Sequence, residues 1–524
     1  MRRPLGAGAF AAALLVPGPA LATGFTDYGQ DLEAHPEKIV AATGALRLRT
    51  ALLYNLDLDR GATPSGQLLC PVPLADPGGQ TLTRADMRLR ADAAAYLPDG
   101  GLAVKVRVDA LDNLALGSAP DGIPSASLSQ RPVQNAVRIE RAWGEALTPF
   151  GLLSAGRMGS HWGLGMLTNG GDCPDCDSGD AADRIAFITP LLGHIWAVAY
   201  DFSATGPFVP SRGSELAIDI APSASVHTLS FAALAWRPEW ARRRRARAGK
   251  VTPEYGAYGS HRWQKDDVPA TYLPTAQSVP IDAQQVMARG YVATAADLWL
   301  RLSGPSFHVE AEAAFLHAKV DQPSLIPGVL LREPVTSTEL GVALESRFGD
   351  PEGAFDAGLD AGYASGDDAP GFGAFPPVGA AAPRAGDLDG PQSNPPFDTT
   401  VNNFRFHPDY RIDRILFREI VGTVTDAVYL RPHARLTAFA NARGALRVEL
   451  AGVLSLAAFA ESSPGGERLL GVEIDPTLAY EGRHGFVLCL EPAVLVPLRG
   501  LDNAAEHLRA RVAQLWRLRL VYGF

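Results

Sequence analysis

The run Arg511-Val-Ala-Gln-Leu-Trp-Arg-Leu-Arg-Leu-Val-Tyr-Gly-Phe524 alternates in the manner of a strand. On an extended strand, Val512, Trp516, Leu518, Leu520, Tyr522 and Phe524 share one face, and Arg511, Arg517 and Arg519 share the other. A sheet in water buries its apolar face in a core and does not normally end it on an exposed aromatic. A strand that crosses a bilayer needs apolar side chains outward, polar ones inward and aromatics at the interface. The sequence therefore predicts a closing transmembrane strand, with Trp516, Leu518, Leu520, Tyr522 and Phe524 as an outer-membrane sorting signal.

Similar alternation recurs along the chain. Strands are expected at about 44–58, 82–97, 102–111, 136–146, 151–166, 184–190, 193–203, 224–237 and 254–264. They continue at about 290–302, 306–318, 336–348, 353–365, 425–438, 444–458, 468–481, 484–495 and 510–524. Every second connection is short and has turn chemistry, as in Gly482-Arg483 and Ala440-Asn441-Ala442-Arg443, whereas the others are long and rich in Pro, Gly and Asp. An outer-membrane barrel has this asymmetry. The fold expected is an all-β transmembrane antiparallel barrel of 18 strands, with 16 as the alternative, over residues 44–524. The exception among the short turns is 238–253, which carries Arg242 to Arg245 with Trp236 and Trp240 beside them. On the periplasmic rim such a cluster either holds anionic lipid heads or stands as a solvated turn. The 215–221 stretch is a further strand candidate.

Arg2 and Arg3, the apolar stretch Leu5–Val16 and the Ala20-Leu21-Ala22 site predict a secretory signal peptide over 1–22, followed by a periplasmic N-terminal segment at 23–43 that either hangs in the periplasm or plugs the lumen. No later stretch reaches the roughly 18 consecutive apolar residues of a spanning helix. A formal net charge of −10 argues against a nucleic-acid partner. The partners expected are outer-membrane lipid, the barrel-assembly machinery and a hydrophilic solute. With only four cysteines there is no dense disulfide framework, so backbone pairing must hold the fold.

Three stretches, Arg157–Met166, Gly170–Asp180 and Asn403–Tyr410 leading to Leu416–Ile420, together resemble a family of large outer-membrane proteins from myxobacteria. The resemblance spans the mature chain and implies a barrel, with no substrate attached. In size and strand count the chain is also similar to alginate-export and other porin-like barrels.

If the apolar face meets lipid, alternation gives the interior. A basic wall is expected from Arg47, Arg49, Arg84, Arg88, Arg90, Lys105, Arg107, Arg138, Arg511, Arg517 and Arg519. Facing it, an acidic wall is expected from Glu310, Glu312, Glu339, Glu345, Asp356 and Asp360. Two such walls would set a transverse field across an aqueous pore; alternatively, cross-strand ion pairs would fill the lumen. The long extracellular connection 366–424 either folds inward as a constriction or lid or projects as a surface epitope, and its semi-apolar pieces favour the first. In loop 167–183, Cys173 and Cys176 read as a tight disulfide rather than half of a zinc site, since no second Cys or His pair completes one. The oxygens of Asp172, Asp175, Asp177 and Asp180 suit a structural Ca²⁺, although the spacing departs from an EF-hand, and a solvated acidic loop is the plain alternative. No other cofactor is expected. Ser160-His161 is the only nucleophile–base adjacency, and strand neighbours point to opposite faces, which disfavours a hydrolase. The functions weighed are a porin-like channel for hydrophilic, anionic or zwitterionic solutes, a non-conducting barrel used as a scaffold or adhesin and, less favoured, an outer-membrane hydrolase.

Overall fold

The structure is a computed structural model that describes residues 24–26, 28, 29, 32, 39–76, 78–97, 100–117, 137–271, 281–350, 353–373 and 381–524. The expected leader and most of the 112–135 connection lie outside the described residues. Eighteen antiparallel strands form one closed sheet. They are β1 (Val40–Tyr54), β2 (Thr81–Tyr96), β3 (Leu102–Ala115), β4 (Val137–Thr148), β5 (Gly151–Gly159) and β6 (Ala181–Leu191). Next come β7 (His194–Ala204), β8 (Val226–Ala235), β9 (Thr252–Asp267), β10 (Met287–Ser303), β11 (Phe307–Val320) and β12 (Val335–Gly349). The last six are β13 (Phe355–Ala364), β14 (Ala427–Asn441), β15 (Gly444–Ala457), β16 (Leu469–Gly482), β17 (Phe486–Pro497) and β18 (Ala513–Gly523). β18 pairs with β1 from Ala45↔Gly523 to Tyr54↔Gln514, which leaves no free edge.

Alternation sorts the side chains as expected. In β1, Arg47, Arg49, Ala51 and Leu53 are buried inside, while Leu46, Leu52 and Tyr54 are exposed outside. In β18, Leu515, Arg517 and Val521 turn inward, and Trp516, Leu518 and Tyr522 turn outward. The outer surface carries two aromatic groups on neighbouring strands. Near the short turns, Trp196 packs on Phe231 and His194 meets the Tyr255 hydroxyl at 3.0 Å. Near the long connections, Tyr200, Phe202, His227, His261 and Trp263 form a second group. Between them the same strands expose Val198 and Leu229.

Several boundaries differ from the alternation. β1 stops at Tyr54 because Asn55, Leu58 and Asp59 take positive φ, a conformation that no strand continues. β5 ends at Gly159, and the residues up to Met166, expected as strand, turn into the lumen instead. The 215–221 candidate contributes Ala217–Asp219, which pairs with Phe208–Pro210 as a ribbon apart from the barrel sheet. The long 238–253 turn contains helix α1, Glu239–Arg247, entered through Pro238. The described residues of the N-terminal segment pack against the barrel's inner wall. Phe25 is buried among Leu152, Met158, Trp162 and Ile188, Tyr28 donates to the Gly159 carbonyl at 2.6 Å, and Gly29 N–H donates to Glu145 at 3.0 Å.

The lumen is largely filled. The connection between β13 and β14 folds inward as expected and packs Phe372, Phe404, Phe406, Tyr410, Ile412, Ile415, Leu416 and Phe417 against wall residues such as Ala343, Ala364, Val453 and Ala493. Small wall residues leave the room. A Cβ on Gly341 would sit 2.4 Å from the Phe404 ring, and one on Gly362 would sit 2.3 Å from the ring of Tyr429. Polar backbone is satisfied too: the Glu473 carboxylate on β16 accepts the amides of Arg414, Ile415 and Leu416 at 2.8–3.1 Å. Burying each large apolar side chain contributes about 1.5–3 kcal/mol, so the inserted loop is a core and not a loose lid.

Overpacking its seat should dislodge it. Gly341→Val is expected to cost about 1–3 kcal/mol and to expose residues 381–424 to added protease. The barrel itself should keep its folded, heat-modifiable mobility on gels. Unchanged protease resistance would contradict this packing.

Candidate functional site

Two inward loops build the site. The first, residues 160–180, leaves β5 through Gly163 and Gly165, whose φ of +56° and +83° favour glycine; a Cβ on Gly163 would lie 2.4 Å from Glu312. The Glu312 carboxylate on β11 accepts the Leu164 and Leu167 amides, and the His161 Nδ1 accepts the Gly170 amide at 3.1 Å. The loop carries the Cys173–Cys176 disulfide at its tip. The second is the loop between β13 and β14. It meets the first where the His407 amide donates to the Met166 carbonyl at 2.8 Å. The Asp409 carboxylate also accepts the Asp177 and Ser178 amides, at 2.8 and 2.9 Å.

The disulfide tip projects two carboxylates into a nest of guanidinium groups. Asp175 lies 3.2 Å from Arg49, 2.6 Å from Arg418 and 3.1 Å from Arg517. Asp177 lies 2.6 Å from both Arg49 and Arg411 and 3.2 Å from Arg47. Burial on its own would raise Asp175, but Arg418, Arg517, Arg411 and Arg519 outweigh it and hold the carboxyl well below the ordinary range. Asp177 is lowered against burial in the same way, chiefly by Arg411 and Arg49. Burial also opposes ionisation of Asp172, yet Arg141 and Arg107 pull it down to about 2.

The remaining basic residues named from the sequence face the interior with carboxylates close by. Arg90 meets Asp109 at 2.6 Å, Arg107 meets Asp92 at 2.6 Å, and Lys105 meets Glu145 at 3.1 Å. Arg84 meets Glu419 at 2.6 Å, Arg138 meets Asp112 at 3.3 Å, and Arg88 is buried in the same row. Arg517 and Arg519 each meet Glu491 at 2.8 Å. Arg511 corrects the list. It precedes β18, its side chain is 74% exposed, and it pairs with Asp59 at the rim.

The acidic row is likewise provided for. Glu310 accepts from Trp299 and from His308, Glu312 holds the first loop, and Glu339 accepts from Ser337. Asp356 pairs with Arg435 at 2.5 Å and Asp360 with Arg431 at 2.7 Å, while Glu345 faces a cavity. Of the two alternatives, local pairing is the arrangement seen for most of the arginines and for Asp356 and Asp360, whereas Glu312 and Glu339 are held by amides and a hydroxyl. An uncompensated charge in a dry interior costs several kcal/mol, so pairing is local.

The four carboxylates named for Ca²⁺ take other partners. Asp172 turns to Arg107 and Arg141, Asp175 and Asp177 turn to the arginine nest, and Asp180 accepts the Asn169 amide. The four do not converge on one point. Ser160-His161 likewise serves the loop, with His161 spent on the Gly170 amide.

Two cavities among the described residues flank these loops. One of about 830 Å³ lies toward the long connections and is lined by Arg107, Arg138, Arg141, Arg184, Arg262, Tyr258 and the tip residues Asp177 and Ser178, among others. The other, about 240 Å³, lies toward the short turns between His308, Glu345, Tyr410, Arg411, Arg431 and His433. They share no lining residue. Asp177 lines the first and Arg411 the second, so their 2.6 Å ion pair is part of the partition. Arg262 differs from its neighbours in the larger cavity. Its Nε donates to the Thr228 hydroxyl at 3.0 Å, and its side chain stands open to the cavity with no carboxylate bonded to it among the described residues.

No protein-family model matches the chain, and no curated protein does. Similar solved structures include the outer membrane protein OpdK from Pseudomonas aeruginosa, 12% identical over 92% of this chain and 99% of that one, with a TM-score of 0.44. OccAB3 of Acinetobacter baumannii is 13% identical over 92% and 99% of the two chains, TM-score 0.44. A BenF-like porin from Pseudomonas fluorescens is 10% identical over 93% and 98%, TM-score 0.43.

Alternation missed three groups of residues. A bulge between Arg107 and Val108 shifts the register with β4 and turns Arg141 and Glu145 inward out of phase with Arg138. Arg184 and Arg262 sit on strands whose inward charges are sparse, with Arg184 fixed by Asp201 at 2.7 Å. Asp409, Arg411 and Arg418 belong to a loop without periodicity. Only the close spacing of charge and aromatics in 403–420 hinted at them.

Asp175→Asn should release the tip, because several guanidinium groups would lose a buried counterion, at a cost of about 3–5 kcal/mol. The measurement is hydrogen exchange of residues 170–180, expected to rise by orders of magnitude. An unchanged exchange rate would contradict the nest. The depressed carboxylates also fix a pH window. Their stabilisation is complete above the ordinary Asp value near 4 and is lost only as pH falls through the lowered values. The tip should therefore stay docked at pH 3, where pepsin would cut a free loop, and release near pH 4 would contradict it.

Proposed function

We propose that the chain is an integral outer-membrane channel for small hydrophilic solutes, favouring anionic or zwitterionic ones. The closed apolar outer surface between two aromatic groups supports insertion: such aromatics prefer the two interfaces, and the aliphatic positions between them suit acyl chains. In this orientation the long connections face outside, and β1 begins and β18 ends on the periplasmic side. Export would use the 1–22 leader, and folding into the membrane would use the barrel-assembly machinery.

One observation carries the solute class: a cavity of about 830 Å³ toward the long connections whose open guanidinium, Arg262, stands beside Thr228, Ser260 and Tyr258. A carboxylate or phosphate entering there gains a charge-assisted hydrogen bond without first displacing a protein carboxylate. The other arginines lining the cavity supply positive potential but are largely spent on fixed partners. A second reading, a non-conducting scaffold, is favoured by the partition between the cavities.

Planar-bilayer recording separates the two. The channel reading expects discrete conductance steps and a reversal potential shifted toward the anion in a salt gradient. Arg262→Gln should weaken that anion preference several-fold while leaving the folded barrel intact, because it removes the charge but breaks no ion pair. A silent bilayer would favour the scaffold, and steps without anion preference in either protein would overturn the solute class.

A further inference from the structure

The only α-helix of the described residues, α1, stands at the short-turn end between β8 and β9. We infer that α1 is a binding surface for anionic phospholipid headgroups of the leaflet facing the periplasm. This rests on the membrane orientation proposed above.

Helical spacing places Trp240, Arg243, Arg244 and Arg247 on one side, at i, i+3, i+4 and i+7. All four are exposed, Trp240 by 68%. Arg242 lies on the opposite side. Its guanidinium donates to the Arg237 carbonyl at 2.6 Å and reaches Glu254 at 3.5 Å, the buried carboxylate that Arg301 also holds inside the barrel. Arg245 is likewise turned back, donating to the Val251 carbonyl at 2.8 Å and the Thr252 hydroxyl at 3.1 Å. With Arg242 anchored toward the lumen, the Trp240 face is turned away from the barrel axis.

The outer wall of the same strands ends in an interfacial aromatic group: Trp196 and Phe231 at 5.7 Å between rings, and His194 with Tyr255. Val251, just before β9, is exposed on this rim as well. A helix carried at that level sets Trp240 at headgroup depth and offers its arginines to phosphate oxygens. Glu239 offsets one charge through its i,i+4 pair with Arg243, and Arg244 extends the basic face beyond it. The complement is an anionic headgroup such as phosphatidylglycerol rather than a zwitterionic one, and a guanidinium binds phosphate in bidentate fashion where an ammonium cannot.

The test uses the full chain in detergent, titrated with phosphatidylglycerol or phosphatidylcholine and read by native mass spectrometry. Phosphatidylglycerol should be retained preferentially, and each arginine neutralised in Arg243→Gln, Arg244→Gln and Arg247→Gln should lower that retention roughly fivefold. Equal retention of the two lipids, or preference surviving the triple variant, would overturn the inference. Should the triple variant fold poorly, brominated phosphatidylglycerol serves with the wild type: it should quench a fluorescence component that Trp240→Phe removes, and quenching identical in the two proteins would overturn it. Liposome insertion distinguishes this failure from the broader one. A chain that inserts but shows no lipid preference refutes the helix surface alone, whereas a chain that inserts into no bilayer refutes the membrane reading with it.

Discussion

Ion pairing in a closed space governs this molecule. Closure of β18 onto β1 forces every second side chain of eighteen strands into one interior, and many of those side chains are ionic. A guanidinium taken from water without a counterion would cost more than any single packing interaction returns. The chain answers with carboxylates brought from elsewhere. Asp86 and Glu491 come from adjoining strands, and Asp172, Asp175 and Asp177 come from a loop far away in sequence. The arginine row and the acidic loop are two halves of one structure. Neither is stable inside the barrel without the other.

The two inserted loops also depend on each other. The first is anchored at its root by Glu312 and at its tip by the arginine nest, while the second supplies Arg411, Arg418 and Asp409 to that nest. Apolar packing holds the second loop to the wall, and charge holds the first loop to the second. Apolar contacts give a rigid seat, and the Asp177–Arg411 ion pair between the loops is part of the partition between the cavities.

The barrel was legible in the sequence because alternation is local. Arg47, Arg49, Arg517 and Arg519 lie where the pattern put them, and so do Trp516, Leu518 and Tyr522 on the other face. Local patterns fail where the backbone leaves the pleat. The positive φ of Asn55 ends β1 early, the bulge at Arg107 and Val108 reverses the phase of Arg141, and Arg511 falls beyond its strand. The fate of the charges was less legible, since a residue's face can be read from its neighbours but its counterion cannot. Asp175 and Arg418 are far apart in the chain, and nothing in either segment names the other.

The Asp177–Arg411 pair is part of the partition between the two cavities, and on the proposed channel reading a double-mutant cycle on single-channel conductance tests that role most directly. Asp177→Asn and Arg411→Gln should each raise conductance, and the two together should raise it no further than the larger single effect, since both remove one barrier. Conductance unaltered by either change, or effects that simply add, would contradict the account.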